Sequence, residues 1–284
     1  MGSFGVLYLQ MLFFSVGPLL LFGLLVWFAR QVFIQLVGTR EGRPVLLSLF
    51  ALSTPLREAA HVLASVLFFQ RVEEVRFLDL RAPDGELGFT ERSYNPRNYF
   101  AKFGNFAYAL APVMLGLLAV LCIYLTFFGG VMEQFFLDLS ALGEGGTLGD
   151  YLRLAVGLVP AMFVSGEVNL FAKIAGVLLL LFLCMGVFVS LPDLLDALFG
   201  MSVYAAALLL PTALLLLFDA RIQHIATEGL RAFATGVLAL FLPILLALAV
   251  LLAFGGVFFL VRKLSAVPET GTAVQLYEEK RGRY

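Results

Sequence analysis

Polar and apolar positions in this chain alternate on the scale of whole segments. Six apolar runs stand out: residues 4–29, 44–70, 103–128, 174–192, 201–218 and 232–261. A helix rises 1.5 Å per residue, so about 20 apolar residues cross the roughly 30 Å of bilayer hydrocarbon. Each run is therefore expected as a membrane-spanning helix. The first carries no charge and ends at Arg30; it lacks a basic leader, and its length suits a span better than the core of a cleavable signal. A seventh apolar piece, Leu154–Gly166, has only 13 residues. That length fits a re-entrant or interfacial element, or an extension at the start of the fourth span.

Between the second and third runs the pattern changes. Val72–Leu80 leans towards period-two alternation, Ala82-Pro83-Asp84-Gly85 is a turn signal, and Glu86–Thr90 reads as a returning strand. A β-hairpin over residues 72–92 is expected at the membrane surface. The fold class is thus an all-α polytopic membrane protein with about six spans and one small hairpin. Residues 1–264 form a single transmembrane domain, and residues 265–284, with Pro268, Gly271 and mixed charges, form a flexible tail. No internal repeat is evident.

The second run is interrupted by ionisable groups. On a helix, Thr54, Arg57, Glu58, His61 and Ser65 share one face. A charge at the bilayer centre costs at least roughly 2.5–3.5 kcal/mol, so such residues face a protein interior and mark function. The other acids within or beside a span are Glu167, Asp193 and Asp196, and the second and fourth spans are expected to pack together so that the Arg57–His61 face meets Asp193. Asp193 and Asp196 also sit where acids favour a helix start after Pro192. His224, between Arg221 and Glu228, reads as a loop or interfacial residue.

Composition agrees with this picture. Of 284 residues, 61% are hydrophobic and 14% charged, against about 25% charged in soluble domains; the mean hydropathy is +0.96. A net charge of −1 leaves no basic surface for nucleic acid. Cys122 and Cys184 lie in apolar runs and read as packing thiols, unpaired. With six spans both termini share a compartment. Six Lys and Arg between Arg71 and Lys102, with five in the tail, then oppose seven on the other side, which places both termini in the cytoplasm.

The stripe has a shape. A helical HExxH presents two imidazoles to Zn²⁺ with the Glu as general base; here Glu58 and His61 occupy the Glu and second His positions, and Arg57 stands at the first. Ser53-Thr54-Pro55 precedes this helix. Asp84–Phe89 follows as hairpin, and then Ser93-Tyr94-Asn95, Gly104-Asn105-Phe106 and Ala111-Pro112-Val113 lead into the third run. On these residues Ser53–Gly116 resembles the membrane-embedded zinc metallopeptidases of the site-2 protease class, bacterial relatives above all. The resemblance extends to Ser190–Ala197, which looks like the element supplying a third, aspartate ligand. Asp193 is its first candidate and Asp196 the second.

The departure decides the expected chemistry. Arginine has no lone pair for a metal and keeps its charge. A site left with His61 and Asp193 has two ligands where catalytic zinc needs three plus water. The resemblance therefore implies a pseudopeptidase, with Glu58 a vestigial general base, no metal or other cofactor, and Arg57, Glu58, His61, Asp193 and Asp196 as a buried charge cluster. It would bind a transmembrane segment, or serve as a subunit of a membrane complex, in a bacterial inner (plasma) membrane among its lipids. One alternative is an active peptidase with an atypical site, zinc being held by His61, Asp193 and Glu167. Another is an ion or proton transporter using the Arg-Glu-His-Asp cluster.

Overall fold

Apolar runs punctuated by Asn, Ser and Pro become helices with defined starts. The computed structural model describes residues 2–39, 41–79, 87–142, 146–164, 169–218 and 220–265. Its helices are α1 (Gly2–Val37), α2 (Arg43–Leu67), α3 (Tyr99–Phe127), α4 (Gly129–Ala141), α5 (Leu148–Val164), α6 (Leu170–Leu183), α7 (Leu191–Leu215) and α8 (Ala220–Ser265). Asn98, Asn169 and Ser190 cap α3, α6 and α7 by accepting backbone N–H bonds. Pro44 and Pro192 sit in the first turns of α2 and α7, where a missing N–H costs nothing. The expected turn at 82–85 with Glu86, the acids Glu144 and Glu167, and the tail from 266 onward lie outside the described residues.

Four helices, α1, α3, α7 and α8, are long and apolar enough to cross a membrane, and large side chains such as Leu9, Phe13, Leu21 and Leu210 point outward from them. The chain is a multi-pass helical membrane protein. Helix α2 has 25 residues, but Arg57, Glu58 and His61 lower its hydropathy below that of the other four.

Two strands follow α2. β1 (Arg71–Arg76) and β2 (Phe89–Ser93) pair antiparallel, Arg71 opposite Ser93 and Arg76 opposite Phe89, with an irregularity between Val72 and Glu74. The hairpin folds back onto α2. A side chain at Gly88 would collide with Thr54 at 2.5 Å, so the start of β2 lies directly on the polar stripe.

Residues 174–192 do not form one helix. Helix α6 stops at Leu183, and the buried stretch Cys184–Ser190 runs non-helically to α7. Non-helical backbone is tolerated at membrane depth only inside protein, and here it is wedged between α1, α2 and α3. Val189 N–H donates to Gly23 O at 3.3 Å. Gly186 presses on the Ser53 carbonyl so closely that an added Cβ would stand 2.6 Å from it, and Gly116 makes room for Val187.

This break changes the expected path. Gly176 faces Phe128, Val187 faces Gly116, and Gly200 faces Phe103 and Phe106, so α6 and α7 run in one direction, antiparallel to α3, without reversing between them. The expected fourth and fifth spans are thus one pass. Helix α2 is antiparallel to α3, with His61 on Tyr108 and Gln70 on Ala101. Helix α8 runs parallel to α1, Phe241 stacking on Phe22, Gly255 lying against Phe33 and Val37, and Arg262 reaching Glu41 at 3.8 Å. Six alternating spans would set the first and last antiparallel. Helices α1, α2, α3, α6–α7 and α8 alternate in direction, with the short helices α4 and α5 packed on each other between α3 and α6.

Candidate functional site

The stripe on α2 is closed by groups from β2 and the start of α7. Arg57 Nη1 donates to Glu58 Oε1 at 2.5 Å, and its Nη2 to Asp193 Oδ2 at 3.3 Å. Glu58 is 1% exposed, while Arg57 and Asp193 keep about a fifth of their side-chain surface. The second Glu58 oxygen accepts from Thr90 Oγ at 2.8 Å. Phe188, from the extended segment, lies with its ring centroid 5.1 Å from the Arg57 guanidinium. Asp193 is placed by its own helix start: Ser190 caps α7 by accepting from Asp193 N–H at 3.2 Å, and its hydroxyl donates to the Asp193 carboxylate. Asp193 therefore both starts a helix and pairs with Arg57. It arrives on α7 and not at the end of a fourth span.

His61 and Asp196 take other places. His61 is buried and lies flat on Tyr108, ring centroids 4.0 Å apart at 23°, and neither ring nitrogen has a hydrogen-bond partner among the described residues. Asp196 is exposed one turn beyond Asp193. It contributes only its backbone carbonyl, 3.5 Å from Asn105 Nδ2. His224 lies on α8, its Nδ1 3.9 Å from Glu228.

A second polar group adjoins the first. Arg92 stacks on the opposite part of the arrangement, 3.7 Å from the Tyr108 centroid, and donates to Gln70 Oε1 at 2.8 Å and Asn105 Oδ1 at 2.6 Å. Gln70 Nε2 bonds Ala101 O at 2.7 Å, and Asn105 Nδ2 bonds the Tyr94 hydroxyl at 3.1 Å. This network ties β2 to the ends of α2 and α3. The sequence signal for it was Asn105, an amide inside an otherwise apolar run. A third group, Tyr151 to Glu228 at 2.7 Å and Glu228 to Arg231 at 2.6 Å, fastens α5 to α8.

The Arg57 site opens into a cavity of about 1010 Å³ walled by α1, the first half of α2, Leu87–Thr90 and Phe188–Asp193. Zinc does not fit the residues here. The guanidinium bonds both carboxylates that would face the ion, and its fixed charge repels a cation. Among the described residues no three His, Cys, Asp or Glu side chains are grouped to hold a metal. The arrangement offers a charge-paired floor beneath a partly apolar chamber large enough to admit a ligand. Compared with protein-family models, curated proteins and solved structures, the chain matches none.

Proposed function

We propose that this protein is a degenerate member of the site-2 protease-like class which binds a transmembrane segment of a partner, as holder or as complex subunit, without cleaving it. The observation that carries the reading is Arg57 bonded to both Glu58 and Asp193. Charge-assisted bonds from one guanidinium satisfy two acids that a metal and water would otherwise organise. Glu58, held by Arg57 and Thr90, is engaged twice and is poorly placed to activate water.

The membrane arrangement follows the same reading. Five passes put the amino terminus on one face of a bacterial inner membrane and the carboxyl end of α8 on the other. The expectation of two cytoplasmic termini is replaced accordingly. Basic residues no longer orient the chain, because the six from Arg71 to Lys102 and the five in the tail now fall on opposite sides.

A photo-crosslinking residue at Leu46, on the cavity wall, tests the proposal in native membranes. It should capture an intact membrane protein through an apolar segment, equally well in wild type and Glu58→Gln. A captured partner that is cleaved in wild type and intact only in Glu58→Gln would overturn it.

A further inference from the structure

We infer that the segment held in this cavity carries an aspartate or glutamate within its apolar stretch, and that Arg30 is the group it pairs with. The inference rests on the cavity being a binding site, and it names what the site selects.

Arg30 lies on α1, in the cavity wall. Its guanidinium sits 4.7 Å from the Phe50 ring centroid and 4.9 Å from that of Phe188. Aromatic faces attract a cation, yet they supply no oxygen to its N–H groups. The residue as a whole is half-buried, but its Nε is shut off from solvent without a hydrogen-bond partner, as is the Nε of Arg57.

Among the described residues the charges around the cavity do not balance. Its walls carry Arg30, Arg43 and Arg57 against Glu58 and Asp193, and both acids are bonded to Arg57. Among the described residues Arg30 faces no carboxylate, and the nearby Arg57 repels it. A partly desolvated cation with no carboxylate beside it is costly to keep. A carboxylate entering the cavity would meet a planar fork of donors, in the geometry that guanidinium groups bind bidentately.

The protein wall continues beyond Arg30. Helix α1 continues from Arg30 to Val37, about 10 Å further along the axis, and Phe33 and Val37 are fully buried there. An acidic residue within an apolar segment would lie along this wall. The apolar wall beside Arg30, with Trp27, Ile34 and Leu46, suits the residues flanking such an acid.

Trp27 is the only tryptophan in the chain, so energy transfer from it to a dansyl-labelled peptide reads binding directly. The full chain in nanodiscs is titrated with Trp-free model transmembrane peptides carrying one Glu, moved stepwise along the apolar stretch, or Gln at the same place. At the matching depth the Glu peptide should bind about tenfold tighter or better, the scale of a charge-assisted hydrogen bond. That preference should vanish in Arg30→Gln, or in Arg30→Met should the first variant not fold, and persist in Arg30→Lys. Equal binding of Glu and Gln peptides overturns the inference and leaves the binding reading standing. No binding of either overturns both. An Arg30-dependent Trp27 response to phosphatidylglycerol but not phosphatidylcholine, with no Glu preference, overturns the inference in favour of a lipid phosphate.

Discussion

Arg57 Nη2 lies 3.3 Å from Asp193 Oδ2, joining residues 136 positions apart. This contact locks the middle of α2 to the start of α7, and the extended segment before α7 is thereby held in the protein interior. Removing the guanidinium strands two acids. Arg57→Ala should destabilise the protein towards the lower end of the about 3–5 kcal/mol that breaking a buried pair costs, because Arg57 and Asp193 retain some exposure. Asp193→Asn in the Arg57→Ala background should recover part of the loss in a thermal-unfolding cycle; strict additivity would show that the pair is not coupled.

Glu58 offers a cleaner separation of structure from chemistry. Glu58→Gln keeps one oxygen acceptor and nearly the same shape, so partner binding should be retained, while loss of the charge facing Arg57 lowers the melting temperature. Proteolysis lost in that variant, with the protein still folded, would mean that an active enzyme is present.

The close approach at Gly186 predicts a packing effect. An alanine there sets its methyl 2.6 Å from the Ser53 carbonyl oxygen, a backbone atom that cannot swing aside, and should cost about 1–3 kcal/mol, as overpacking does. Gly157→Ala, where nothing lies within 4 Å, is the control. Similar melting temperatures for the two variants would contradict the wedged path of Cys184–Ser190.

Parallel packing of α1 and α8 predicts sidedness. Reporter fusions at residue 1 and after residue 265 should report opposite faces of the membrane. Reporters on the same face would restore an even number of crossings.

Much of this fold was legible in the sequence. Uniform apolar runs gave α3 within a few residues and the apolar parts of α1 and α8, which extend eight residues beyond and twelve residues before the expected spans, and the 3.6-residue spacing of Thr54, Arg57, Glu58, His61 and Ser65 gave the polar face of α2. Asp193 was legible as the partner of Arg57 because few acids lie beside a span. The break at Cys184–Ser190 was not, since a continuous apolar run carries the same pattern whether helical or extended once every side is buried. That one ambiguity made two expected spans of a stretch that runs in a single direction along α3. The Gln70–Arg92–Asn105 network escaped notice because its members come from three elements, and no local spacing links them. Arg30 read only as the end of a span, and its place in the cavity depends on where Phe50 and Phe188 fold.

On the proposed reading a guanidinium occupies the place a metal would need. Thermal stability of wild type, Arg57→Ala and Arg57→His, each with and without Zn²⁺, tests it most directly. Arg57→His would place two imidazoles four residues apart on α2 with Asp193 beside the first, and a metal that binds only the folded state stabilises it. The account predicts that zinc raises the melting temperature of the His variant alone; zinc raising that of wild type equally would contradict it.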